Sequence, residues 1–202
     1  TCTNEKKKEM INSRKSDPHM VRTKFGKGKI YKTTLIGKLL CLVANKYASL
    51  DPEGIGIEME SGKPNWCDAL NGLPGLFGSS TAESFELKRL IRFILNPLYD
   101  AGIKEDEKIK TTKEIINFLR DLEKITIKNF DDNFKFWDET HILKEKYREK
   151  TMFGFSGEED YLTWKQLKEM LNLFQKKVNK GLTRSIDKRS GVVFTNFENI
   201  QV

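Results

Sequence analysis

Glu58, Glu60, Lys63, Trp66, Asp68 and Asn71 fall in one short stretch of a 202-residue chain, and together they could do chemistry on a sugar. An indole such as Trp66 stacks on the apolar face of a pyranose ring. Asn71, Glu60 and Lys63 offer an amide, a carboxylate and an ammonium for hydroxyl groups. Asp68 sits among apolar neighbours, and partial burial raises a carboxyl pKa enough for it to hold a proton near neutrality, as a general acid must. The same residues also fit a packed loop in which Asp68 caps a turn and Trp66 fills a core.

The surrounding segment, Gly54 to Ser80, is too rich in Gly and Pro for a helix. Ordinary connections run about four to six residues, and those beyond roughly 12–15 are usually functional or disordered. Ile55, Ile57, Met59, Trp66, Leu70, Leu73, Leu76 and Phe77 give this one too much apolar surface for disorder.

The elements that must position it are helical. Tyr31 to Leu50 places Leu35, Leu39, Leu42, Val43, Tyr47 and Leu50 on one face. Ser80-Thr81-Ala82-Glu83 has the form of a capping box, opening a helix with a stripe from Leu87 to Leu98 that Pro97 should end. Thr111 to Glu114 starts a third helix, with Ile115, Leu119, Leu122 and Ile125 inward. Thr163 to Gln166 starts a fourth, running through Leu167, Met170, Leu171, Phe174, Val178 and Leu182 toward Ile186. Between these two, Phe134, Trp137, Ile142 and Tyr147 predict a helix over 131–150. Val192 to Phe197 fits a short strand or an extended end, and no other run alternates as a strand does. The class is mainly α, with wide apolar stripes that require helix-on-helix packing.

The formal charge is +7. Lysines are interleaved with acids, as in Lys144-Glu145-Lys146, which reads as solvated helix faces and not as a nucleic-acid surface. Cys2, Cys41 and Cys67 form an odd set without metal-ligand spacing, so neither a disulfide framework nor a metal site is expected, and a cytoplasmic setting fits. No apolar run approaches a membrane span, and the charged N-terminus lacks a signal-peptide core. Residues 1–15 read as a polar tail and 16–202 as one domain; the absence of an initial Met fits a partial product.

Three weaker patterns have plain readings. Phe25-Gly26-Lys27-Gly28-Lys29 lacks the strand and spacing of a phosphate loop and reads as a flexible turn. Cys67 could be a nucleophile with His19 or His141 as base, but the adjacent Asp68 works against a thiolate. Trp137-Asp138-Glu139 and Glu158-Glu159-Asp160 read as surface and capping groups, the three carboxylates of the second cluster favouring a helix N-terminus.

At Trp66-Cys67-Asp68-Ala69-Leu70-Asn71-Gly72 the chain resembles the cellobiose- and chitobiose-phosphorylase type of glycoside phosphorylase. That family carries a Trp-Asn-Asp-Gly-Met-Asn-like segment. The flanking Gly62-Lys63-Pro64, Leu73 to Ser80 and Glu86 to Arg89 look similar too, as do Asp17 to Gly28, Tyr147 to Lys150 and Ser156 to Glu159. The resemblance implies an α/α toroid of the six-hairpin type with long active-site loops, of which 16–202 would be a part. It implies Asp68 as proton donor and Trp66 as the tryptophan of the sugar subsite at the cleaved bond. The implied reaction is inverting phosphorolysis of a β-linked gluco-oligosaccharide, with inorganic phosphate as co-substrate and no other cofactor. Cys67 departs from the family's Asn and Ala69 from its Gly, which bears on the sugar preference. The family's β-sandwich and phosphate-binding loop have no counterpart here, so the chain looks like a fragment, inactive alone, with a homodimer or association with the rest of the enzyme as its expected partnership. The alternatives are an inverting hydrolase with Glu58 or Glu60 as base, or an inactive helical interaction module.

Overall fold

The computed structural model describes residues 4–58, 78–193 and 196–198. It is mainly helical: α1 (Glu5–Asn12), α2 (Leu35–Tyr47), α3 (Thr81–Asp100), α4 (Lys113–Lys128), α5 (Asn133–Thr151) and α6 (Trp164–Arg184) are the helices of the described residues. The strands are short. β1 (Ile57–Glu58), β2 (Gly78–Ser80) and β5 (Asn196–Glu198) form an antiparallel sheet in the order β1-β2-β5. β3 (Lys108–Thr112) pairs antiparallel with β4 (Glu159–Thr163), Lys108 opposite Thr163 and Thr112 opposite Glu159.

Local chemistry explains where the helices begin. The Ser80 hydroxyl accepts from the Glu83 amide, Thr112 from Ile115, and Thr163 from Gln166. At Thr163 the box is complete, because the Gln166 side chain accepts from the Thr163 amide in return. Thr112 and Thr163 are also the last residues of β3 and β4, so each strand of that ladder passes directly into a helix. α4 and α5 are joined by the short turn 129–132, which makes them antiparallel neighbours.

The core is built from α2, α3, α4 and α6, with Phe136 reaching in from α5. Tyr47 stacks on Phe174 at 4.1 Å between ring centroids and meets Phe136 edge-on at 5.4 Å. Its buried hydroxyl pairs with the Thr126 hydroxyl at 3.0 Å, and Thr126 donates onward to the Leu122 carbonyl. The inward faces expected for α3, α4 and α6 are largely buried from Leu87 to Leu95, from Ile115 to Leu122 and from Leu167 to Leu182, while Leu90, Leu98 and Ile125 are only partly covered.

Several expectations are corrected. α2 buries Leu40, Val43, Ala44 and Tyr47, whereas Leu35 and Leu42 are exposed. This helix is apolar nearly all round, so the expected face holds only in part: Val43, Tyr47 and Leu50 are buried and Leu39 partly so, while the core takes Leu40 and Ala44 in place of Leu35 and Leu42. α5 likewise turns Phe136 and Thr140 inward and leaves Phe134 and Ile142 exposed. α3 does not stop at Pro97 but continues to Asp100; a single missing amide near a helix end removes one bond without halting the backbone. The acids at 158–160 do not cap a helix. Glu158 pairs with Lys113 at 2.7 Å and Asp160 with Arg120 at 2.6 Å, beside and within β4. The strand extending from the region of Val192 is realised as β5, which joins β2.

The glycine-rich turn near Lys27 is docked, not loose. The amides of Lys24 and Phe25 donate to the carbonyls of Ser156 and Phe155. Gly26 lies at φ +92°, where a Cβ would sit 2.5 Å from the Phe153 carbonyl oxygen. Within the stretch read as a polar tail, α1 forms, and beyond it Arg14 donates to the carbonyls of Pro18, Met20 and Gly26. No helix among the described residues is long and apolar enough to cross a membrane.

Candidate functional site

Asp68, Trp66, Glu60, Lys63 and Asn71 lie outside the described residues, as does Cys67. What the structure does describe is the stem from which that segment departs and to which it returns, β1 and β2. Ile57 stands opposite Ser80, and Glu58 opposite Ser79.

Three sets of contacts hold this stem. The first is a buried carboxylate. Asp51 Oδ1 accepts from the amides of Glu53 at 3.1 Å and Ile55 at 2.8 Å; Oδ2 accepts from the Gly56 amide at 2.8 Å and the Ser79 hydroxyl at 2.6 Å. Burial pushes the Asp51 carboxyl pKa up, while Ser79 and the three amides pull it back down. The geometry is an Asx-type turn, in which a short acidic side chain satisfies backbone amides a few residues ahead. Here it also reaches across to β2 and fastens the turn to the returning strand. The Glu58 amide donates to the Ser49 carbonyl, and the Asp51 amide to that of Gly56, which closes the turn as a small hairpin.

The second set ties the end of β1 to α5. Glu58 Oε1 accepts from the Trp137 indole Nε1 at 2.6 Å, and Oε2 lies 2.6 Å from His141 Nε2. His141 Nδ1 is 3.0 Å from the Trp137 carbonyl, which can only accept, so Nδ1 carries a hydrogen. The group is largely enclosed, with Glu58 and His141 side chains 11% and 21% exposed. Both ring nitrogens and both carboxylate oxygens are therefore engaged with one another or with α5. His141 is not free to act as base to a distant thiol, and Glu58 is not free to activate water.

The third set underpins the turn. Lys177 on α6 is buried, and its ammonium donates to the Phe130 carbonyl and Asn133 Oδ1, both at 2.8 Å, above the ring of Phe136. Burial pulls its pKa down to about 8. Asn133 Nδ2 donates in turn to the Glu53 carbonyl at 2.9 Å, and Arg184 donates to the same oxygen. One turn further along α6, Gly181 packs directly on the Gly54 carbonyl; a Cβ there would lie 1.6 Å from that oxygen.

Among the described residues, no group of His, Cys, Asp and Glu is arranged to hold a metal ion. Cys41 is half-buried, with burial raising its thiol pKa, and its sulfur lies 3.8 Å from the Tyr147 hydroxyl. Glu139, read as a surface group, pairs with Lys128 at 2.7 Å. Sequence reasoning missed Asp51, Trp137, His141 and Lys177 as stem residues. Asp51 had a signal in Asp51-Pro52-Glu53-Gly54, a turn-forming order of residue types. The Glu58 partners had none, since they are 79 and 83 residues away.

No protein-family model matches the chain, and no curated protein matches its sequence. The likeness to glycoside phosphorylases therefore rests on the residues quoted above.

Proposed function

We propose that the chain is the acid-bearing part of an inverting glycoside phosphorylase, with 16–202 forming part of an α/α toroid. In this reading Trp66 forms the sugar platform and Asp68 protonates the glycosidic oxygen while inorganic phosphate attacks the anomeric carbon. The glycosidic C–O bond breaks, a C–O bond to phosphate forms with inversion, and the products are a sugar 1-phosphate and a shortened saccharide. Glu60, Lys63 and Asn71 bind hydroxyls. One protein carboxylate suffices, because phosphate replaces the base-activated water that an inverting hydrolase needs.

The observation that carries this reading is the bracing of the stem. Function is commonly placed on loops held by a rigid scaffold, and the segment bearing Trp66 and Asp68 is anchored at both ends by buried or enclosed polar contacts to α5, α6 and β2. Of the two bases in the hydrolase alternative, Glu60 lies outside the described residues. Glu58 has both oxygens committed to Trp137 and His141, which leaves it poorly suited as a base. α4 and α5 are consecutive and pack on each other, the hairpin unit from which such a toroid is built.

The test uses a protein that carries these residues together with whatever natural sequence flanks them, given β-linked gluco-oligosaccharides with and without inorganic phosphate. Sugar 1-phosphate formed only when phosphate is present is the expected result. Free sugar released equally without phosphate would overturn phosphorolysis in favour of hydrolysis.

A further inference from the structure

The net charge of the chain is concentrated at one place. Residues 1–32 hold ten lysines and arginines against three acids, a net +7, and residues 33–202 are balanced. The structure divides these basic residues into two kinds. The arginines are turned inward: Arg14 donates to the carbonyls of Pro18, Met20 and Gly26, and Arg22 to those of Ser16 and Gly28. They hold a small hairpin in which Arg22 bridges to Ile30 and the Thr23 amide donates to the Lys29 carbonyl. The lysines stay outside. Lys6, Lys15, Lys24, Lys27, Lys29 and Lys32 are exposed, and among the described residues the only ion pair of the segment is Lys8–Glu5.

The hairpin tip is held in a conformation that its residue types disfavour. Lys24 and Phe25 both lie at φ +50°, in the left-handed region. Docking keeps them there: their amides donate to the carbonyls of Ser156 and Phe155, and the Phe155 amide donates to the Arg22 carbonyl. Strain held by its surroundings in this way clusters at functional positions. The result is a rigid tip that displays its side chains. Lys24 is exposed, and Phe25 is 44%, Val21 49% and Met20 53% exposed. α1 is fixed beside this tip, since a Cβ on Gly26 would lie 2.6 Å from the Met10 sulfur.

Charge complementarity requires an anionic partner, and the apolar residues say which. Single-stranded nucleic acid stacks its bases on aromatic rings, and arginine forks clamp phosphates. Here one ring is offered, both forks are turned inward, and Met20 and Val21 have no face for a base. Apolar side chains set among lysines fit instead the boundary between headgroups and acyl chains of an anionic bilayer, where each lysine near the surface adds to the attraction.

We propose that the hairpin and α1 form a docking surface for an anionic phospholipid membrane. Met20, Val21 and Phe25 enter the headgroup region, and the lysines meet the lipid phosphates and carboxylates. The chain lies on the bilayer and does not cross it. The docking does not depend on the catalytic reading above.

Co-sedimentation of the 202-residue chain with vesicles tests it. Binding is expected to vesicles of mixed phosphatidylcholine and phosphatidylserine, and not to phosphatidylcholine alone. It should fall as salt is raised from about 0.1 to about 1 M, because the screening length drops from about 10 to about 3 Å. Lys24→Glu with Lys27→Glu and Lys29→Glu should weaken it about 100-fold or more. Phe25→Asn, which suits the left-handed backbone, should weaken it about tenfold. The control reverses three exposed lysines elsewhere, Lys165→Glu with Lys176→Glu and Lys188→Glu. It makes the same change in net charge and should alter binding by no more than about twofold. Circular dichroism checks that each variant keeps its helices. Absence of binding to the anionic vesicles overturns the proposal, as does equal weakening by the control, or indifference to Phe25→Asn. Tighter binding to a single-stranded oligonucleotide than to the vesicles, lost in the Lys24, Lys27 and Lys29 variant, overturns it in favour of a nucleic acid.

Discussion

Replacing Asp51 by Ala should be among the most damaging single changes available near the stem. The aspartate accepts from three buried donors, the amides of Ile55 and Gly56 and the hydroxyl of Ser79, and from the half-buried amide of Glu53. A buried donor left without an acceptor costs about 1–3 kcal/mol. Three of them at the low end of that range, with some relaxation of Ser79, give a loss of about 3–5 kcal/mol. That is a large share of the roughly 5–15 kcal/mol that a domain has. Asp51→Asn separates acceptor loss from shape. It keeps an oxygen for Glu53 and Ile55 but turns an amide N–H toward that of Gly56, so about half the loss is expected. Urea unfolding followed by circular dichroism gives both numbers. With a slope of about 2 kcal/mol/M, Asp51→Ala should lower the midpoint by about 2 M. A change below about 0.5 kcal/mol for Asp51→Ala would refute the idea that this carboxylate holds the turn and β2 together.

Two further outcomes follow from the support beneath the turn. Lys177 has its pKa lowered from 10.5 to about 8 by burial, so between those values the unfolded chain binds a proton that the folded chain has released. Stability from this group therefore rises with pH through that window. Urea titrations should show wild type gaining up to about 3 kcal/mol relative to Lys177→Met as pH goes from 8 to 10.5, and a relative loss would contradict the burial argument. Gly181→Ala places a methyl group on the Gly54 carbonyl; a loss of about 3 kcal/mol or more, or failure to fold, is expected in thermal or urea melts, and a neutral result would show that α6 and the turn are not in contact.

The helices that begin at Ser80, Thr112 and Thr163 could be read from the chain, because capping is local: the hydroxyl and the amide it serves are three residues apart. The face of α6 could be read for a similar reason, since polar residues separate its apolar ones cleanly. α2 could be read only in part: Val43 and Tyr47 are inward as expected, but Leu35 and Leu42 compete with Leu40 and Ala44 for the core, and only tertiary packing decides. β3 and β4 escaped notice because Lys108 to Thr112 and Glu159 to Thr163 are short and mostly polar, and the ladder between them spans a sequence gap occupied by two helices. At the candidate site, Trp66 and Asp68 stood out by residue type. The brace of Glu58, Trp137 and His141 depends on the meeting of β1 with α5, which no local spacing announces.

The central claim is that Asp68 gives a proton to the departing sugar oxygen. It is tested most directly in a protein carrying the whole catalytic domain, by comparing wild type with Asp68→Asn on two substrates. One is a β-linked gluco-oligosaccharide, whose leaving group needs protonation; the other is a dinitrophenyl β-glucoside, whose leaving group does not. Loss of a general acid costs about 10²–10⁴-fold, so phosphorolysis of the oligosaccharide should fall by that factor while cleavage of the aryl glycoside changes little. Oligosaccharide phosphorolysis that survives the substitution, or an equal loss on both substrates, would contradict the assignment and leave Asp68 as a residue of the loop's own fold.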